Sequence, residues 1–111
     1  MDRSRLLAHL RKTHFAPGDR ERALADAHAI AEFLKREYGV SVFGMGSLFD
    51  PERPFRGSSD IDLVVEGMPA DRFFEASAKA AFMTEFGLDL IPIEDANDYI
   101  RQVVEKTGVE L

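Results

Sequence analysis

An α/β domain, a small mixed sheet of about three strands with helices packed on it, is the fold class this sequence predicts. Three observations carry the prediction. The chain has 111 residues, enough for one core and too few for two, so a single domain over residues 1–111 is expected. Segments with apolar residues at helical spacing alternate with short apolar runs of strand length, in the order α-α-β-β-α-β-α. No repeat and no low-complexity linker interrupts that order.

Each element has its own signal. Residues 2–14 read as a short helix carrying Leu6, Leu7 and Leu10. "APGD" at 16–19 is a break in which Asp19 suits an N-cap. A long helix follows to Tyr38, with Leu24, Ala27, Ala31, Leu34 and Tyr38 on one face, and Gly39 ends it. "VSVFGMG" at 40–46 is a strand running into a glycine turn. Residues 47–58 form a loop rich in Pro, Gly and charge, and residues 59–66 form the second strand. Pro69 opens a helix to Phe86, with Phe73, Ser77, Ala80 and Ala81 inward, and Gly87 stops it. "LDLIPIE" at 88–94 is the third strand, and Pro92 marks it as an edge or an early end. Asp95 then caps a last helix with Ile100, Val103 and Val104 inward and Gly108 past its end.

Composition narrows the function. The net charge is −6, unevenly spread: residues 1–36 hold eight Lys/Arg against five Asp/Glu, and residues 37–111 hold six against fifteen. Such a chain is a poor candidate for unaided nucleic-acid binding, which draws its affinity from Lys/Arg on phosphates. The acidic part could instead hold divalent cations, although most of its charges read as solvated surface. There is no cysteine, which excludes disulfides and cysteine-based metal sites. The apolar runs fall far short of a membrane span, and "LLAHL" is too short and polar for a signal-peptide core. A soluble, cytoplasmic protein is expected.

Three pieces carry chemistry. "GMGS" at 44–47 ends a strand in two glycines and a serine. Glycine admits a phosphate close to the backbone and Ser47 adds a hydroxyl donor, although such a sequence is more often only a turn. Asp60 and Asp62 stand one residue apart at the start of the second strand, so they share a face and repel. A solvated edge is the common reading of such a pair; a bound cation is the other. Asp89 interrupts an apolar strand, flanked by Leu88, Leu90 and Ile91. Either it faces water, or it stands beside the second strand and completes a trio of oxygen ligands suited to one or two Mg²⁺ ions. Beside a Gly–Ser turn, such a trio matches phosphoryl or nucleotidyl transfer.

With "GS" at 46–47, "SDIDLVV" at 59–65 and "LDLI" at 88–91 in place, the sequence resembles the nucleotidyltransferase superfamily that includes DNA polymerase β. It is most similar to the minimal, MNT-domain branch, over residues 26–105. The resemblance implies a polymerase β-like core and a role for each motif residue. Gly46 and Ser47 would contact the terminal phosphates of a nucleoside triphosphate, ATP in the leading reading. Asp60 and Asp62 would bridge two Mg²⁺ ions, and Asp89 would complete the metal site that activates the attacking hydroxyl. Members of this branch are commonly antitoxins paired with a HEPN-domain toxin, and some transfer AMP onto that partner. The implied function is thus AMP transfer to a hydroxyl of a protein partner, with self-association left open. The alternatives are a non-catalytic antitoxin that works by contact and, more weakly, modification of a small molecule such as an aminoglycoside.

The sequence departs from the family pattern at Asp50-Pro51, where Arg-Gly is common, and its loop from Ser47 to Asp60 is about two residues longer. Arg53 and Arg56 either replace that charge or are surface residues. His9, His14 and His28 have no ligand spacing to the acids and read as structural. Phe49 and Phe55 could stack on a base but more simply pack the loop down. Tyr99 faces a partner or the core.

Overall fold

The computed structural model describes residues 19–55 and 60–111. The helix expected over 2–14, His9, His14, Arg56 and the first residue of the second expected strand lie outside them. Helix α1 spans Asp19–Tyr38, strand β1 Ser41–Met45 and strand β2 Ile61–Glu66. Helix α2 spans Phe73–Ala81, strand β3 Leu88–Pro92, helix α3 Asp98–Thr107 and strand β4 Val109–Glu110. The sheet order is β3-β2-β1-β4. β1 runs antiparallel to β2 and β4, and β2 runs parallel to β3. The sheet is therefore mixed, as expected, but has four strands. The fourth is only two residues long, too short to show a period of two. β3 lies at the sheet edge, where Pro92 costs no ladder bond. Among the described residues no helix is long and apolar enough to cross a membrane.

Register divides the sheet into two faces. Val42 and Gly44 pair with Val65 and Leu63, and Ile61 and Leu63 pair with Leu88 and Leu90. Their side chains share one face and form the core with Ala23, Ala27, Ile30, Ala31 and Leu34 of α1 and Ala76 and Ala80 of α2. Alanine predominates on both helices, so they approach the sheet closely. The opposite face begins with the row Phe43-Val64-Ile91, partly covered by α3, and continues with the row Met45-Asp62-Asp89. All the chemistry expected from the sequence lies on this second, less covered face.

Several boundaries move. α2 stops at Ala81 instead of Phe86. Thr84 takes the chain out of the helix: its hydroxyl donates to Asp26 of α1 (2.7 Å) and accepts the Phe86 amide (3.1 Å). Phe86 then turns inward and meets Phe55 edge to face, centroids 5.8 Å apart. Ala81 is exposed and Ala76 is buried, so the inward face of α2 is rotated from the expected one. The last helix is capped by Asn97, which accepts from the Ile100 amide at 2.9 Å, and Asp95 lies in the 3-10 turn before it. Asp19 stands at the first residue of α1, buried, 3.7 Å from Arg22.

The loop between β1 and β2 is anchored by aromatics. Phe55 is 1% exposed and belongs to the core. The Phe49 ring lies over Gly44 so closely that a Cβ there would stand 2.4 Å from it. Both rings pack the loop down. Phe55→Ala is expected to cost about 3–5 kcal/mol, the range for a buried Phe whose site cannot collapse. Equilibrium urea unfolding checks this value.

Candidate active site

β1 delivers the chain to Gly46 at φ +85°, ψ −166°, a conformation that side chains rarely adopt. A side chain there would also have to displace the Asp62 carboxylate. A Cβ on Gly46 would stand 2.7 Å from Asp62 Oδ2. The Gly–Ser turn and the Asp-x-Asp motif, separate in sequence, therefore lie in contact. A 3-10 turn over Ser47–Phe49 follows, and among the described residues none engages the Ser47 hydroxyl.

Asp62 is opposite Asp89 in the parallel pair and opposite Met45 in the antiparallel one. Asp60 precedes Asp62 by two residues and shares its face by strand alternation. Asp60 and Asp89 are exposed, so Asp89 does face water, and it does so beside Asp62. The Asp62 carboxyl is pushed up to about 6, first by burial, then by the charges of Asp89 and Asp60, with Arg53 opposing. Among the described residues, Arg53 is thus the loop cation that acts on Asp62.

The three carboxylates share a face and a field. Among the described residues, however, no group of three or more His, Cys, Asp or Glu side chains is drawn together as a metal cage. Asp60 and Asp89 are exposed, which leaves their side chains room to turn toward a cation at Asp62. An all-oxygen, mutually repelling donor set beside a glycine cradle fits a hard divalent cation.

The Asp50-Pro51 departure has a local cause. The Arg53 amide donates to the Asp50 carbonyl (3.1 Å), closing a β-turn with Asp at its first position and Pro at its second. The Asp50 carboxylate accepts the Glu52 amide at 3.0 Å, which directs it into its own turn. Sequence reasoning missed Arg20. Its guanidinium reaches from α1 to four carbonyls of this loop. Backbone acceptors leave no trace in residue identity, so no motif could have shown the contact. His28 and Tyr99 are exposed, the latter 72%, which removes Tyr99 from the core. An open cleft of about 530 Å³ lies between α3 and β1, lined by Phe43, Ile93, Arg101 and Val104 among others; the acids do not line it.

No family model matches this sequence. No curated protein matches it either. Solved structures do match. A mutant MntA toxin–antitoxin complex aligns with a TM-score of 0.61 at 19% identity, over 76% of this chain and 70% of that one. The toxin–antitoxin complex MntA–HepT aligns with a TM-score of 0.58 at 18% identity, over 78% and 69%. The complex of a tri-AMPylated Shewanella oneidensis HEPN toxin with MNT antitoxin aligns with a TM-score of 0.58 at 19% identity, over 79% and 70%. At this identity the likeness establishes a shared mixed α/β fold.

The raised Asp62 fixes a pH signature. Below about pH 3 the carboxyl is neutral in the folded and unfolded chain alike, and it costs nothing. Between there and about 6 the unfolded chain ionises more readily, so the fold loses stability as pH rises, and above that window the full penalty remains. Asp62→Asn is expected to be more stable than wild type at pH 7.5 by about 1 kcal/mol, discounted for half-exposure, and equal to it near pH 3. Thermal unfolding across pH, without divalent metal, reads the difference.

Proposed function

We propose that this protein is a minimal nucleotidyltransferase that moves AMP from ATP, with Mg²⁺, to a hydroxyl of a HEPN-type toxin, and so acts as that toxin's antitoxin. The observation that supports it most is the contact between Gly46 and Asp62. It brings the glycine turn against a carboxylate raised by burial and by two like charges. The shared fold with MNT antitoxin complexes, one of them holding an AMPylated toxin, points the same way.

In this reading Asp60 and Asp62 hold two Mg²⁺ ions and Asp89 completes the site on the side of the attacking hydroxyl. The ions supply charge neutralisation and activation of that hydroxyl when bound. Gly46 lets the triphosphate approach the backbone, and the Ser47 hydroxyl donates to a terminal phosphate oxygen. Arg53 adds positive charge on the loop side. The acceptor oxygen bonds to the α-phosphorus, the bond from that phosphorus to the pyrophosphate oxygen breaks, pyrophosphate leaves, and the hydroxyl proton passes to a carboxylate or to water. The acid row lies on an open face outside the cleft at α3, so the partner completes the acceptor side.

A contact antitoxin is the second reading. Phe74 and Phe82 on α2 and its C-cap are 84% and 90% exposed, and with Ala78 and Ala81 they form an apolar stripe that a protein partner could cover.

Asp89→Asn separates the two readings. Incubation with α-labelled ATP, Mg²⁺ and the candidate toxin should label the toxin with wild type and not with the variant, while both co-purify with it. A wild type that binds and silences the toxin but labels nothing with any of the four nucleotides selects the contact reading. Ser47→Ala should weaken ATP binding by about 1 kcal/mol, and Gly46→Val by more, as measured by calorimetry.

A further inference from the structure

Among the described residues, no side chain is recorded holding more of the backbone than Arg20. It sits half-buried in the first turn of α1. Its Nη1 donates to the carbonyls of Ser47 (3.0 Å), Leu48 (2.9 Å) and Asp50 (3.4 Å), and its Nη2 to the carbonyl of Arg53. These four acceptors run from the Gly–Ser turn to the residue whose charge opposes the rise at Asp62.

Two physical consequences follow. Carbonyl oxygens carry partial negative charge, and four of them at the edge of a triphosphate site would repel the ligand. Arg20 turns them toward α1 and takes their lone pairs. Ordering a loop on binding also costs affinity, because its conformational freedom is lost at that moment. A planar, permanently charged fork that fixes the loop beforehand removes that cost, and a lysine, with one donor nitrogen, cannot reproduce it. With its nitrogens on backbone carbonyls, Arg20 acts through the loop rather than on the substrate.

We infer that Arg20 is a positioning residue for the triphosphate: it presets residues 47–53 so that Gly46 and Ser47 receive the phosphates before ATP arrives. The inference rests on the nucleotidyl-transfer reading of the site.

The test compares wild type, Arg20→Lys and Arg22→Met. Arg22 is the control: it lies in the same helical turn and binds Glu85 (3.3 Å) and the Phe86 ring, and it is not among the partners of the carbonyls that Arg20 holds. ATP affinity, Mn²⁺ affinity without nucleotide, the melting temperature, and KM and kcat for AMP transfer are measured for each. Arg20→Lys is expected to lose about tenfold or more in ATP affinity, with the loss in KM, kcat nearly unchanged and Mn²⁺ binding intact. Arg22→Met is expected to keep ATP affinity at a comparable loss of melting temperature. Equal ATP affinity in Arg20→Lys and wild type, or losses in both variants that simply follow stability, overturns the assignment. A wild type that binds no ATP overturns the functional reading and the assignment with it. Hydrogen exchange tests the preset loop directly, and Arg20→Gln serves as a second variant if Arg20→Lys does not fold. Amides of residues 48–50, 52 and 53 protected before ATP is added in wild type but exposed in the Arg20 variant support the assignment; amides protected only after ATP is added, or equally protected in wild type and variant, overturn it.

Discussion

The contact between the empty side of Gly46 and the Asp62 carboxylate is the constraint on which the rest of this molecule turns. Gly46 is required by its φ of +85°, and a Cβ there, 2.7 Å from Asp62 Oδ2, would also push the carboxylate out of its place. The contact requires β1 and β2 to pair in one register, since a slip by one residue would send Asp62 to the core face. It also requires the chain to leave β1 in a tight turn, which the Phe49 ring over Gly44 and the Arg20 fork over the loop carbonyls both hold. The two glycines of "GMG" thus have different tasks: one admits a ring, the other a carboxylate.

The sheet has two unlike faces. One face carries the aliphatic rows and the alanine-lined helices, and the folding free energy comes largely from that burial. The other face carries a row in which a half-buried carboxylate is flanked by two more. That row works against the fold above the pH at which Asp62 ionises, the usual mark of a site whose charges await a ligand. The cost is tolerable because Asp60 and Asp89 stay in water and Arg53 offsets part of the repulsion.

Much of this was legible in the sequence. Alternating apolar periods gave the order of elements from the long helix to the last one, Pro92 pointed to an edge or an early end, and the spacing of Asp60 and Asp62 placed them on one face. What stayed hidden depends on long-range partners. The end of α2 is decided by Thr84 bonding to Asp26 and by Phe86 turning toward Phe55, neither of which a local period reveals. β4 is two residues long and exists because it pairs with Phe43 and Gly44. Asp89 could be suspected as a third acid, but its register opposite Asp62 is a property of the parallel ladder. Arg20 binds only carbonyls, about thirty residues away, and every residue has a carbonyl.

A crystal structure with Mg²⁺ and a non-hydrolysable ATP analogue tests the central claim most directly. The account predicts metal ions on Asp60 and Asp62, with Asp89 turned toward them, and the triphosphate against the backbone of Gly46 with a terminal oxygen on the Ser47 hydroxyl. A triphosphate bound away from Gly46, or a nucleotide complex with no ion on Asp62, would contradict it.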